Sequence, residues 1–208
     1  NIPSQYMLAS TNEFIHSLNN NFAINSNYLV SFDVESLFTN IPLNEICQIT
    51  SDYVYAENSK SKPPFPKTIF YKLLLKATSG IFSFNNQLYQ QTDGVTMGSP
   101  LGPSLANMFL ANLEKDWQAH EFSPVFYRRY IDDIFCIFKE HQDYNVFLDY
   151  LNNQHPNLKF TVEHGNKSLS FLDTKVSISP QSNFDVAVYR KPTYTNLLRN
   201  CNACCSNK

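Results

Sequence analysis

The sequence holds no run approaching the roughly 18 apolar residues that a membrane-spanning helix requires, and its first residues lack the charged-then-apolar pattern of a secretory signal. A soluble, intracellular protein without a membrane partner is expected, with the nucleus as its compartment. A basic balance is missing too: 16 Lys and Arg against 18 Asp and Glu give a net charge of -2 and a pI of about 6.2. Bulk charge therefore points to no polyanionic partner. Arg128, Arg129, Arg190, Lys191 and Arg199 fall in the C-terminal half, where they read either as a local basic path or as ordinary solvated surface. Paired cysteines are also lacking. Of the 5 cysteines, Cys47 and Cys136 sit inside apolar runs and read as small buried hydrophobes. Cys201, Cys204 and Cys205 form a CxxC cluster in a divergent tail, residues 199–208, but a zinc site needs about four ligands and no second pair exists. Internal repeats and long linkers are absent, so one domain is expected. The chain starts at Asn1 and not at a methionine, which suggests a fragment or a processed piece. What it does have is 208 residues that are 43% hydrophobic and 14% aromatic, enough to bury a core.

Periodicity sets out the elements. Residues 28–33 form an apolar run ending in Asp33, which suits a buried strand with a carboxylate at its C-terminal edge. A helical stripe covers residues 43–55, residues 60–67 read as a loop, and a second helix runs over residues 69–78. Asn85-Asn86 between residues 81–84 and 88–91 reads as the turn of a β-hairpin. The next helix starts at Pro103 and carries Leu105, Phe109, Leu113 and Trp117 on one face. Strands at residues 125–131 and 134–138 leave Asp132-Asp133 as the hairpin turn, and a helix over 143–153 precedes strands at 158–163, 169–178 and 184–190. The expected fold class is α+β, an antiparallel sheet with helices packed on one face.

Two adjacent aspartates in a tight hairpin repel one another by about 4 kcal/mol at 4 Å and an effective dielectric of 20. The plain reading is a polar turn. The chemical one is a cation site, completed by Asp33 from a neighbouring strand of the same sheet. Such a set of carboxylates can hold two Mg²⁺ ions, with Mn²⁺ an acceptable substitute.

Tyr130-Ile131-Asp132-Asp133 resembles the YxDD box of reverse transcriptases, Phe32-Asp33-Val34 resembles their first palm motif, and Gly98-Ser99-Pro100 resembles the nucleotide-contacting motif between them. The wording over residues 31–42 and 91–103, with Phe160-Thr161-Val162-Glu163, Phe171-Leu172-Asp173 and Val188-Tyr189-Arg190-Lys191-Pro192-Thr193, is similar to Penelope-like retroelements, the branch related to telomerase. The resemblance spans about residues 28–198, after a lead-in of residues 1–27. It implies a polymerase palm with an RRM-like core. Its function would be RNA-directed DNA synthesis on an RNA template, with a DNA primer and dNTP as partners.

The resemblance makes Asp33, Asp132 and Asp133 catalytic and metal-binding, with the Val34 carbonyl completing the shell. It places Phe38 under the incoming sugar as a bar to a 2′-hydroxyl, although a core phenylalanine is the plainer reading. Gln91, Gly94, Gly98, Ser99 and Pro100 become nucleotide-binding, and Phe171, Leu172 and Asp173 become a primer grip or else an ordinary strand. Lys167 is a candidate proton donor to pyrophosphate, or a solvated loop lysine. Asp93 stands where many reverse transcriptases keep glutamine. No fingers motifs, thumb or GIY-YIG endonuclease can be recognised, so the isolated chain is expected to be weak or inactive. Rival readings are a catalytically silent nucleic-acid-binding remnant and a two-metal nuclease or phosphatase.

Overall fold

The computed structural model describes residues 4–19, 28–57, 59, 62–115, 117, 121–140, 143–165, 167–180 and 183–193. At its centre is β1 (Tyr28–Val34), paired antiparallel on one side with β5 (Asp133–Phe138) and on the other with β6 (Phe160–Gly165). β4 (Phe126–Tyr130) completes a four-stranded sheet in the order β4-β5-β1-β6. Because strand side chains alternate faces, the apolar run of β1 divides in two. Val30, Phe32 and Val34 join one buried cluster, while Leu29 joins a second on the opposite face. Both faces of this sheet are therefore covered.

The first face receives α3 (Leu43–Val54), α5 (Gly102–Leu113) and α6 (Asp143–Asn153), through Ile46, Leu105, Phe109, Phe147 and Leu151. The α+β class with an antiparallel sheet is as expected, and these three helices share one side of it. α4 (Lys67–Thr78) starts directly after Pro66 and packs on α3. A short helix, α2 (Leu37–Asn40), follows β1 after Ser36, which takes a left-handed φ of 50°. The β2–β3 hairpin (Ile81–Phe84 and Gln87–Gln90) turns on Asn85 and Asn86 at φ of 49° and 59°, the two positive values that a type I′ turn requires.

The second face was not legible as a layer. It is covered by α1 (Thr11–Asn19) and by a separate sheet of β7 (Ser168–Phe171), β8 (Thr174–Ile178) and β9 (Phe184–Val188). Phe14 and Leu18, four residues apart on α1, are both fully buried, each worth about 1.5–3 kcal/mol. Tyr6 and Leu8 bond through their backbones to Arg129, so the lead-in packs on β4.

Three expectations are corrected. Residues 169–178 are two strands, because the chain reverses at Leu172-Asp173 with Leu172 at φ 53°. α5 ends at Leu113, so Trp117 is not on its face; it is buried separately, stacked on Tyr127 at 4.8 Å. Arg129 belongs to no surface path: its side chain is fully buried and ion-paired to Glu114. Cys47 and Cys136 are buried free thiols, as their settings suggested, and burial pushes both above the ordinary thiol range. Among the described residues no helix is long and apolar enough to cross a membrane. The Cys201, Cys204 and Cys205 cluster and Arg199 lie outside the described residues.

Candidate active site

Strand parity aims the acids. Phe32 pairs with Ile134, and one further step along the same register puts Asp33 opposite Asp133. On β1 and β5 these positions alternate with core residues, so both carboxylates face the side carrying β7–β9. They line one cleft of about 520 Å³ together with Ser31, Thr161, Glu163, Phe171, Leu172, Tyr189 and Lys191. The hairpin turn is one residue earlier than the sequence pattern indicated. Tyr130 pairs with Asp133, which leaves Ile131 and Asp132 as the two turn residues. Asp133 therefore sits on a strand and Asp132 at the tip.

Ile131 has φ 57°. Asp132 is not among the positive-φ residues, and positive φ at the first central residue alone is the pattern of a type II′ turn, where glycine is favoured. A β-branched residue there carries strain on the order of 1–3 kcal/mol. The Leu172 turn between β7 and β8 follows the same pattern at the same cleft.

The charges act on one another. Asp33 is held above its ordinary carboxylate value, first because the cleft walls displace part of its hydration and then because Asp132 and Glu35 repel its ionised form. The Val34 N–H, hydrogen-bonded to the carboxylate, works the other way. Asp133 is raised by partial desolvation and then by Asp132 and Asp33, while Lys191 opposes the shift. Among the described residues no three His, Cys, Asp or Glu side chains are close enough to enclose an ion as they stand. Even so, mutually repelling carboxylates on one open cleft are a donor set of hard oxygens, which fits Mg²⁺ or Mn²⁺.

A pH dependence follows. Both carboxyls bind protons more tightly in the fold than in the unfolded chain. Their contribution favours the fold below the ordinary value of 3.8 and is lost as pH rises through the raised values. At neutral pH the ionised pair works against the metal-free fold. Asp133→Asn is therefore expected to raise the melting temperature in chelator at pH 7, with the gain shrinking towards pH 3.5. Thermal denaturation across that range checks it, and a lower melting temperature at pH 7 would count against the assignment.

A second group gathers around Phe38, on α2. The Val95 N–H donates to the Phe38 backbone carbonyl at 2.7 Å, and an added Cβ on Gly102 would meet the Phe38 ring at 3.6 Å. Gly94, at φ 80°, presses against Thr39, where an added Cβ would meet the Thr39 carbonyl oxygen at 2.6 Å. Gln91 donates to the Asp93 carbonyl at 2.8 Å and accepts from Thr96 at 3.2 Å. Asp93, the departure from the common glutamine, accepts from the N–H groups of Leu43 and Gly94, both at 2.8 Å. It fastens this loop to the start of α3. Gly98 (φ 84°) and Pro100 are exposed, and the Ser99 hydroxyl accepts from the Leu101 N–H at 3.3 Å.

The structure brings Phe171 and Leu172 to the cleft with the acids, but Phe171 is buried in the second core cluster. Asp173 is exposed, and its carbonyl accepts from Tyr189 N–H at 2.8 Å. Lys167 immediately precedes β7, outside the cleft lining, and Lys191 is the lysine that lines it.

A family model described as reverse transcriptase (RNA-dependent DNA polymerase) matches residues 2–178. The chain belongs to the reverse transcriptase family. No curated relative matches the sequence. Telomerase from Candida tropicalis, truncated from its C-terminal domain, is similar at TM-score 0.66 and 14% identity over 89% of this chain and 41% of its own. Telomerase from Candida albicans, in complex with a TWJ fragment of telomeric RNA, is similar at 0.64 and 12% identity, over 83% and 34%. The RNA-dependent RNA polymerase of BmCPV in its quiescent state is similar at 0.55 and 14% identity, over 87% and 18%. At these identities the likeness is one of fold, that of a polymerase palm, and this reverse transcriptase chain spans less than half the length of each neighbour.

Proposed function

We propose that the chain is the palm of an RNA-directed DNA polymerase of a Penelope-like retroelement, extending a DNA primer with dNTPs on an RNA template. The observation that carries this is the placement of Asp33 and Asp133 side by side on one cleft, with Asp132 at the adjoining turn and its charge acting on both. Asp33, Asp132 and Asp133 would hold two Mg²⁺ ions, with the Val34 carbonyl as a further oxygen. Mg²⁺ there would supply Lewis-acid chemistry, favouring the ionised 3′-hydroxyl and the departing pyrophosphate.

The rest belongs to the chain's own residues. Gly98, which is exposed, lets Ser99 and Pro100 come close to the base pair being formed, while Gly94, packed on Thr39, seats the loop that carries them and Gln91. The Leu172 turn, with Phe171 behind it and Asp173 beside it, would hold the primer end over the cleft. A nuclease built on the same acids has no use for a bulky ring next to the sugar, and the Phe38 backbone is tied to Val95.

Phe38→Ala is therefore expected to reduce discrimination against ribonucleotides by about 10- to 200-fold. Single-nucleotide incorporation of dNTP and rNTP by the full-length protein checks this. Unchanged discrimination would leave Phe38 as a core residue, and primer degradation without extension would favour the nuclease.

A further inference from the structure

The guanidinium of Arg129 is fully buried, yet Glu114 does not use all of it. Nε and Nη2 bond the two Glu114 oxygens at 2.5 and 3.1 Å, and that carboxylate is in turn held by the Tyr127 and Ser4 hydroxyls at 3.1 and 2.8 Å. Nη1 points the other way. It donates to Asn107 Oδ1 at 2.7 Å and to the Ile131 carbonyl at 2.9 Å. That carbonyl belongs to the middle peptide of the turn, whose nitrogen is that of Asp132. The turn is strained at Ile131, and the peptide plane that carries Asp132 has a flipped alternative with Ile131 still at positive φ, the type I′ turn.

We infer that Arg129 is a positioning residue for Asp132 and Asp133, pinning the middle peptide of their turn through its bond to the Ile131 carbonyl. Glu114 and Asn107 fix the guanidinium, and its planar fork transmits that fixed position to the turn. A lysine keeps the charge beside Glu114 but has no rigid fork with which to reach the turn as well. The anchor runs from the end of α5 to the tip of the β4–β5 hairpin, so the helix layer sets the position of the acids on the far edge of the sheet. This rests on the polymerase reading above.

The test uses the full-length protein with Mg²⁺ and a primer–template, comparing wild type with Arg129→Lys and with Asn107→Ala, which spares the ion pair. The expected result for Arg129→Lys is a kcat lower by about 10- to 100-fold, the cost of a displacement of around 1 Å in a reacting group. The dNTP KM stays within about twofold, because the loop that meets the nucleotide is untouched. Asn107→Ala falls between the two. In hydrogen exchange, which needs no catalysis, the amides of Asp132 and Asp133 exchange faster in both variants while those of β1 hold their protection. An unchanged kcat, or exchange that rises uniformly over the sheet, would overturn the inference and make Arg129 a stabilising residue only. If wild type does not extend a primer, the polymerase reading fails, and the exchange measurement alone decides the anchor.

Discussion

Asp132→Asn is expected to reduce single-nucleotide incorporation by about a thousandfold or more, with Asp33→Asn close behind. Asparagine keeps the size and the turn preference of aspartate, so the hairpin survives and only the charge is lost. A metal-held nucleophile and leaving group account for several kcal/mol of transition-state stabilisation, and every 1.4 kcal/mol is about tenfold in rate. Removing one carboxylate from a site of three should therefore be felt in kcat far more than in dNTP affinity. Incorporation followed at saturating dNTP checks this. If Asp132→Asn extends primers within tenfold of wild type, Asp132 carries no essential part of the chemistry.

Glu114→Ala should be the most destabilising single substitution of the polar interior. Glu114 is 7% exposed and Arg129 0%, and the carboxylate also receives the Tyr127 hydroxyl. Truncating it leaves a buried guanidinium without a counter-charge, which costs about 3–5 kcal/mol. Replacing both partners, Arg129→Met with Glu114→Leu, should restore much of that stability, because apolar side chains of similar volume often match a buried pair. Denaturant unfolding of the two variants checks this. A loss under 1 kcal/mol for Glu114→Ala would mean that water reaches the pair. The double variant would fold and still lack the bond to Ile131, which separates the pair's part in stability from its part in positioning.

Much of this could be read from residue order alone. The apolar run ending at Asp33 is β1, the Asn85-Asn86 pair is a hairpin turn, and Asp33 and Asp133 lie on one cleft with Asp132 at the adjoining turn. Local patterns were legible where strand or turn chemistry declares itself. Layers built from distant segments were not. Nothing in Phe14 and Leu18 says which face of the sheet α1 covers, and the break at Leu172 is hidden because leucine is a poor indicator of positive φ. The same applies to Ile131, which sets the turn one residue earlier than the Asp-Asp pair suggests.

Arg129 carries a readable sign of its burial. On β4, Tyr127 and Arg129 share the face turned to the helix layer, and a charged residue on a buried face of a strand must find a partner. The place of Lys191 at the cleft is not legible in the sequence, because the return of the chain after β9 to the cleft is a tertiary fact.

The most direct measurement is extension of a DNA primer on an RNA template by the full-length protein, with Mg²⁺ and with chelator, beside Asp33→Asn and Asp132→Asn. Extension with dNTPs that requires the divalent ion and disappears in both variants is the predicted result. Extension that survives the two substitutions, or a primer that is shortened and never lengthened, would contradict it.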